Sequence, residues 1–90
     1  MNFSQTKKAT KENLEAIKLI LDECVNEGML DTDAHFYNEI LDFLSEAHLA
    51  KSFPELQEVI SQAKLLEMDI DAWLSRKGRT TLSLEWPVIS

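Results

Sequence analysis

The sequence has little of several residue types on which specialised chemistry depends. It contains one cysteine, two glycines and two prolines in 90 residues, and its longest apolar runs are three residues. The lone Cys24 cannot form an intrachain disulfide, and two glycines are too few for a glycine-rich loop that cradles a phosphate. A membrane-spanning helix needs about 20 apolar residues in succession. These shortages argue against a disulfide scaffold, a nucleotide-binding loop and a membrane protein.

Positive charge is also scarce, and it is unevenly distributed. Nine lysines and arginines stand against 16 aspartates and glutamates, for a formal net charge of −7. Residues 12–71 hold fifteen of the acids and only three lysines, a net of minus twelve. The other basic residues flank this region at Lys7, Lys8, Lys11, Arg76, Lys77 and Arg79. Direct nucleic-acid binding, which needs clustered lysine and arginine, is therefore not expected. The acidic middle predicts either solvated helix faces or a surface that docks a basic partner or imitates nucleic acid.

What remains is the composition of one small globular domain. The hydrophobic fraction of 44% and the charged fraction of 28% are ordinary for a folded soluble chain. A chain of this length is expected to form a single compact core. Its N-terminal residues lack the apolar stretch of a secretory signal, so a reducing, cytoplasmic location is expected.

Apolar residues recur at three- and four-residue steps through most of the chain. This spacing predicts three amphipathic helices, over about 11–27, 32–50 and 53–77, and the residues before Thr10 are expected either to fray or to form a weaker extension of the first helix. Links of a few residues require antiparallel neighbours. The expected fold is therefore all-α, an up-down-up three-helix bundle in residues 1–78 followed by an extended C-terminal tail in 79–90.

Capping signals set the expected ends of these helices. The expected N-caps are Thr10 for the first helix, Asp31 or Thr32 for the second, and Ser52 for the third, where Ser52-Phe53-Pro54-Glu55 combines a capping box with a proline in the first turn. Gly28 and Gly78 are expected to stop the first and third helices in the left-handed conformation. Asp69 is a possible internal N-cap that would split the third helix near Met68.

The tail carries an unusual signal for a helical chain. Leu82, Leu84 and Trp86 alternate with polar residues as in a β-strand, but no second strand is predicted to pair with them. The unpaired edge of a strand exposes backbone N–H and C=O groups that can hydrogen-bond to another chain. A third helix of about 24 residues is also expected to overhang its neighbours, which leaves apolar residues for the tail or a second copy to cover. The expected interaction surface comprises Met29, Leu30, Ile70, Trp73, Leu74, Leu82, Leu84 and Trp86.

The residues that most often carry chemistry form no recognisable site. His35 and Glu39 are one helical turn apart, with Asp31 just before them, but His48 lies nearly 20 Å further along the helix and cannot complete a metal site. Cys24 falls on the apolar stripe of the first helix and is interpreted as an inert core residue. Neither a catalytic site nor a cofactor or metal is expected.

Three functional hypotheses follow from the sequence. The favoured one is a non-enzymatic protein–protein interaction module that forms a homodimer through the overhang and the tail. The alternative is an acidic inhibitor, immunity or antitoxin-like protein that neutralises a basic partner through the acidic middle. A small metal-binding protein or enzyme built around His35 and Glu39 is the least supported.

Overall fold

The computed structural model describes residues 2–30 and 35–88, and within them the chain forms three α-helices and no β-strand. The helices are α1 (Phe3–Asn26), α2 (His35–Leu49) and α3 (Phe53–Arg76). The N-terminal part of α1 contacts the C-terminal end of α2 through Lys7, and Phe3 stacks edge-on against Phe53 at the start of α3, with ring centroids 5.3 Å apart. These contacts fix an up-down-up order. The predicted all-α three-helix bundle is confirmed.

The predicted start of the first helix near residue 11 is wrong, because α1 begins two turns earlier. Asn2 is its N-cap and forms a reciprocal capping box with Gln5, whose backbone N–H donates to Asn2 Oδ1 over 2.8 Å. Thr10, the expected cap, is instead fully buried inside the helix, where its hydroxyl donates to the carbonyl of Thr6 over 2.8 Å. This bond to the residue one turn earlier satisfies the hydroxyl without ending the helix.

Lys7 explains how α1 tolerates a lysine near its positive N-terminus. The Lys7 ammonium donates to the backbone carbonyls of His48 and Ala50 over 2.6 and 2.9 Å. These carbonyls lie at the end of α2, where a helix leaves acceptors without intrahelical partners and favours a cation. The lysine on one helix therefore caps the C-terminus of the next.

The predicted glycine stops are confirmed at both long helices. Gly28 and Gly78 have φ values of +75° and +73°. The N–H of the residue after each glycine bonds to a carbonyl five positions earlier, from Met29 to Cys24 over 2.8 Å and from Arg79 to Leu74 over 2.9 Å. This is the Schellman arrangement, in which glycine enters the left-handed region without a Cβ penalty. Met29 packs against the buried cluster that includes Cys24.

The third helix starts where its capping signal predicts and continues without a break. The backbone N–H of Glu55 donates to Ser52 Oγ, and Pro54 lies in the first turn. The Glu55 carboxylate accepts from the Ser52 hydroxyl and from the Lys51 N–H, not from the Ser52 N–H of a reciprocal box. Asp69 lies inside α3 and does not split it. The expected caps of the second helix, Asp31 and Thr32, lie outside the described residues.

The core contains two clusters. The larger joins all three helices and includes Leu14, Ile17, Leu21, Cys24, Ile40, Phe43, Ala47, Val59, Ala63, Leu66, Ile70 and Leu74. The smaller consists of Ala50, Leu56 and Ile60 at the end of the bundle where α1 and α3 begin. Because α1 and α3 have 24 residues each and α2 has 15, α3 extends beyond α2 but not beyond α1. The expected overhang of α3 is therefore wrong with respect to α1, which begins earlier than expected and is as long as α3, and α3 overhangs only α2.

A polar contact also joins α1 to α2. Asp22 accepts from the Lys18 ammonium and from the Tyr37 hydroxyl, each over 2.8 Å. These two donors, Lys18 first, hold the pKa of the Asp22 carboxyl below its usual range. The carboxylate in turn raises the pKa of the Tyr37 hydroxyl. The contact thus favours ionised Asp22 and neutral Tyr37 near neutral pH.

Candidate interaction surfaces

The tail lies on the bundle as an extended segment in the groove between α1 and α3. It reverses direction after Gly78 and runs antiparallel to α3, so that Leu82 lies beside Asp71 and Leu84 beside Glu67. On the α1 side, Asn13 Nδ2 donates to the backbone carbonyl of Glu85 over 2.7 Å. Alternate side chains enter the groove, because Leu82, Leu84 and Trp86 are partly buried and the residues between them are exposed. We call this surface the α1–α3 groove.

Two carboxylates of α3 take the place of a neighbouring strand. Asp71 accepts the N–H groups of Leu82 and Ser83 over 2.8 and 3.3 Å. Glu67 accepts the N–H of Leu84 over 2.8 Å through one oxygen and the indole N–H of Trp86 over 2.7 Å through the other. Asp71 and Glu67 are four residues apart, about one turn of α3, so their carboxylates lie on the same side of the helix and both reach the tail. The carboxylates therefore satisfy the donors that made the tail look unpaired.

Arg79 attaches the start of the tail to the end of α1. Its guanidinium forms an ion pair with Glu27, donates to Glu23 over 3.5 Å and contacts the sulfur of Met29 over 3.7 Å. The side chain is 23% exposed, so the pair is partly shielded from water. Two residues, Thr80 and Thr81, thus connect Arg79 to Leu82, the first tail residue that Asp71 holds.

The backbone of Ser83 is in the left-handed region, with φ of +49°. This conformation costs a non-glycine residue roughly 1 kcal/mol or more. We expect Ser83→Gly to be more stable than Ser83→Ala by about 1 kcal/mol in thermal or urea unfolding. Both variants lose the contact of the Ser83 hydroxyl with Thr81 Oγ1, so their difference isolates the backbone. Equal stability of the two variants would contradict the left-handed assignment.

The structure places the predicted interaction residues in two groups. Ile70 and Leu74 are fully buried members of the main core and form no surface. The others are partly buried and pack against that core: Met29, Leu30, Trp73, Leu82, Leu84 and Trp86. Trp73 also stacks edge-on against Phe36, with centroids 6.1 Å apart, and Trp86 contacts the smaller cluster as well. The tail and its own bundle therefore cover the cluster that was expected to need a partner.

The sequence does not identify Glu67 and Asp71 as acceptors: its pattern indicates that Asp69 and Asp71 are solvated or part of a cap, and it gives Glu67 no role. A signal for Glu67 was present. Glu67 continues the stripe that Ile60, Ala63, Ile70 and Leu74 form along α3. These four residues are buried, and Glu67 itself is only 7% exposed. A glutamate on an apolar stripe is costly unless hydrogen bonds stabilise its carboxylate. Such a residue points to donors supplied by another segment.

A second groove, between α2 and α3, carries exposed apolar residues edged by acids. Two depressions of about 350 and 250 Å³ meet at Gln62. Leu49 and Leu65 line them and are 64% and 65% exposed. The remaining lining residues are His35, Glu39, Phe43, Glu46, Glu55, Glu58, Val59, Leu66 and Asp69. Among the described residues that line this α2–α3 groove there are five carboxylates and neither lysine nor arginine.

Three of the five carboxylates have polar contacts within the bundle. Glu39 pairs with His35 over 3.2 Å, Glu58 accepts from Gln62 over 2.6 Å, and Glu55 belongs to the α3 cap. Within the described part of the chain, Glu46 and Asp69 have no ion-pair or hydrogen-bond partner. These two carboxylates can bind an incoming cation without first giving up a protein contact.

The residues examined for catalysis and metal binding remain dispersed. His35 and Glu39 form the side-chain contact given above, whereas His48 lies at the other end of α2 beside Lys11. In residues 2–30 and 35–88, no three histidine, cysteine or acidic side chains are grouped as metal ligands. Cys24 is buried, which confirms its interpretation as a core residue, and burial raises the pKa of its thiol.

Comparison with known proteins gives no family assignment. The chain matches no protein-family model, no curated protein and no solved structure. Within the described residues, none of the helices combines the length and apolar character that crossing a membrane requires. The two grooves are therefore the features of the molecule that bear on its function.

Proposed function

We propose that this protein is a non-enzymatic helical interaction module whose α2–α3 groove binds a basic partner protein. The observation that carries the proposal is the combination of exposed leucines and carboxylates in one groove. Exposed apolar residues supply the contact area of a binding site, and charge of one sign selects the partner. The α1–α3 groove is the weaker choice for a foreign partner, because the chain's own tail already fills it.

The shape of the α2–α3 groove suits an amphipathic helix. At 1.5 Å per residue, the 15 residues of α2 extend about 22 Å, or four helical turns. A partner helix laid along this length would contact Leu49 near one end and Leu65 nearer the other, as apolar anchors in a helix-in-groove complex do. It would complete a four-helix arrangement of the kind that antiparallel helices commonly form.

The charge of the groove favours lysine and arginine on that partner helix. Glu46 and Asp69, which have no ion-pair or hydrogen-bond partner among the described residues, would pair with cations on either side of its apolar stripe. A second copy of the same groove would instead bring carboxylates face to face, which costs free energy. We therefore propose that the groove binds a basic partner, as an inhibitor, immunity or antitoxin-like protein would.

The test uses a helical peptide of leucine and lysine with one apolar face, and a scrambled peptide of the same composition as control. We expect only the amphipathic peptide to bind well in fluorescence anisotropy, with affinity that falls as salt is added. Replacing both Glu46 and Asp69 by lysine should raise the Kd more than about tenfold. The same charge change at Glu12 and Glu15, exposed on α1, should raise it by no more than about threefold.

The paired variants separate a site from general charge attraction. Equal weakening by the α1 and groove reversals would mean that the peptide responds only to net charge and would contradict the proposal. So would an affinity that does not change with salt. Leu65→Ala adds a check on the apolar half of the site, because it should weaken peptide binding while leaving the melting temperature nearly unchanged.

A further inference from the structure

The α1–α3 groove has the construction of a receptor for an extended segment. It supplies three polar side chains, Asn13, Glu67 and Asp71, of which Glu67 is more than nine-tenths buried. These make five hydrogen bonds to the tail, four to its backbone and one to the Trp86 indole. Such a site binds an extended segment that has apolar residues at three alternate positions, the last of which is tryptophan. The sequence that fits is Leu-x-Leu-x-Trp.

The contacts that hold the tail do not depend on its being joined to the same bundle. All five bonds run between the tail and helix side chains, and the hydroxyl contact of Thr81 with Ser83 is internal to the tail. The connection is short, because Arg79 is fixed to the ends of α1 and α3 and Leu82 is already held by Asp71. Thr80 and Thr81 are the two residues between these anchored points, so they form the hinge about which the tail would leave its own bundle. Short hinges of this kind favour exchange of an identical element between copies.

We propose that the α1–α3 groove accepts the tail of a second copy of this chain, giving a reciprocal dimer in which Leu82, Leu84 and Trp86 are exchanged. The tail is the expected occupant because the groove already binds it in this structure, and a second copy of the chain supplies the same segment. This dimer uses a different surface from the α2–α3 groove and goes beyond the basic-partner proposal. It also gives the homodimer expected from the sequence a defined interface.

The covalent link gives the chain's own tail an advantage. A short flexible link provides an effective concentration in the millimolar range, so the wild-type dimer is expected to form only at high protein concentration. Two full-length variants remove this advantage. The groove variant carries Glu67→Ala and Asp71→Ala, and the tail variant carries Leu84→Ala and Trp86→Ala. Neither can pair its own tail and groove well, but the intact tail of the first matches the intact groove of the second.

The test is to mix the two variants and measure the mass by analytical ultracentrifugation. We expect the equimolar mixture to contain a species of two chains that is absent from either variant alone at the same concentration. In the groove variant labelled with ¹⁵N, exchange of the Trp86 indole N–H with solvent should slow at least about tenfold when the tail variant is added, because opening of the site then costs at least 1.4 kcal/mol more.

Several controls keep the outcome decisive. Mixing two differently labelled groove variants should produce neither change, because no intact groove is present. Circular dichroism establishes that each variant is helical; if the double groove variant unfolds, Asp71→Ala replaces it, and Trp86→Phe replaces an unfolded tail variant. A mixture that stays monomeric, with rapid exchange of the Trp86 indole, would overturn the proposal. A mixed dimer without protection of that indole would also overturn it, since association would then use another surface.

Discussion

Leu74→Ala is expected to lower the free energy of unfolding by about 2–5 kcal/mol. Leu74 is fully buried in the cluster that joins all three helices, so truncation removes buried apolar area and leaves a cavity in a closely packed core. For a chain of this size, each kcal/mol corresponds to roughly 4–8 °C in melting temperature. We therefore expect the thermal transition, followed by circular dichroism at 222 nm, to shift down by more than about 10 °C.

Leu65→Ala is the matched control, because it makes the same chemical change in the same helix. Leu65 is 65% exposed, so its truncation should alter stability by less than about 0.5 kcal/mol. Leu74→Met, which roughly conserves volume, should cost less than about 1.5 kcal/mol. If Leu65→Ala were the more damaging variant, the face of α3 that points inward would have been assigned wrongly. The comparison also decides whether Leu74 belongs to the core or to an interaction surface.

Most of the fold could be predicted from the sequence because its signals are local. Apolar spacing identifies the three helices, and Gly28, Gly78 and Ser52 mark ends at which the backbone or a single side chain determines the conformation. The start of α1 was missed for a physical reason. Lys7 disfavours a helix N-terminus when considered locally, but it is stabilised by carbonyls more than 40 residues away at the end of α2. A local argument cannot include that contact.

The position of the tail could be predicted only in part. The alternation of Leu82, Leu84 and Trp86 correctly indicates which side chains face an apolar surface. It does not reveal what accepts the backbone N–H groups of Leu82, Ser83 and Leu84, because the acceptors belong to α3. Glutamate and aspartate are also common on exposed helix faces, so Glu67 and Asp71 do not stand out in the sequence. They become acceptors only because the fold places them beside an extended segment. The α2–α3 groove depends similarly on how two helices pack, which apolar spacing alone does not fix.

Glu67→Ala is expected to cost about 2–3 kcal/mol, because it removes the acceptor of two hydrogen bonds, and bonds to a charged group contribute about 1.5–3 kcal/mol each. The expected loss is smaller than the sum for two such bonds, because the wild-type protein also bears the cost of burying the carboxylate. Beyond the change in melting temperature, we expect the Leu84 amide and the Trp86 indole N–H to exchange faster with solvent. Hydrogen exchange followed by NMR measures both, and Trp86→Phe identifies which of the two indole signals belongs to Trp86.

Glu58→Ala is the control for the loss of a glutamate from α3, since Glu58 is exposed and both changes carry the same gain in helix propensity. It should leave the Trp86 indole unaffected. A double-mutant cycle then isolates the contact itself: Glu67→Ala and Trp86→Phe should show a coupling of about 1–2 kcal/mol, because each removes one partner of the same bond. Additive effects would mean that Glu67 stabilises α3 by another route. Coupling with unchanged helix content would instead support the contact seen in the structure, in which the Glu67 carboxylate accepts hydrogen bonds from the tail as a neighbouring strand would.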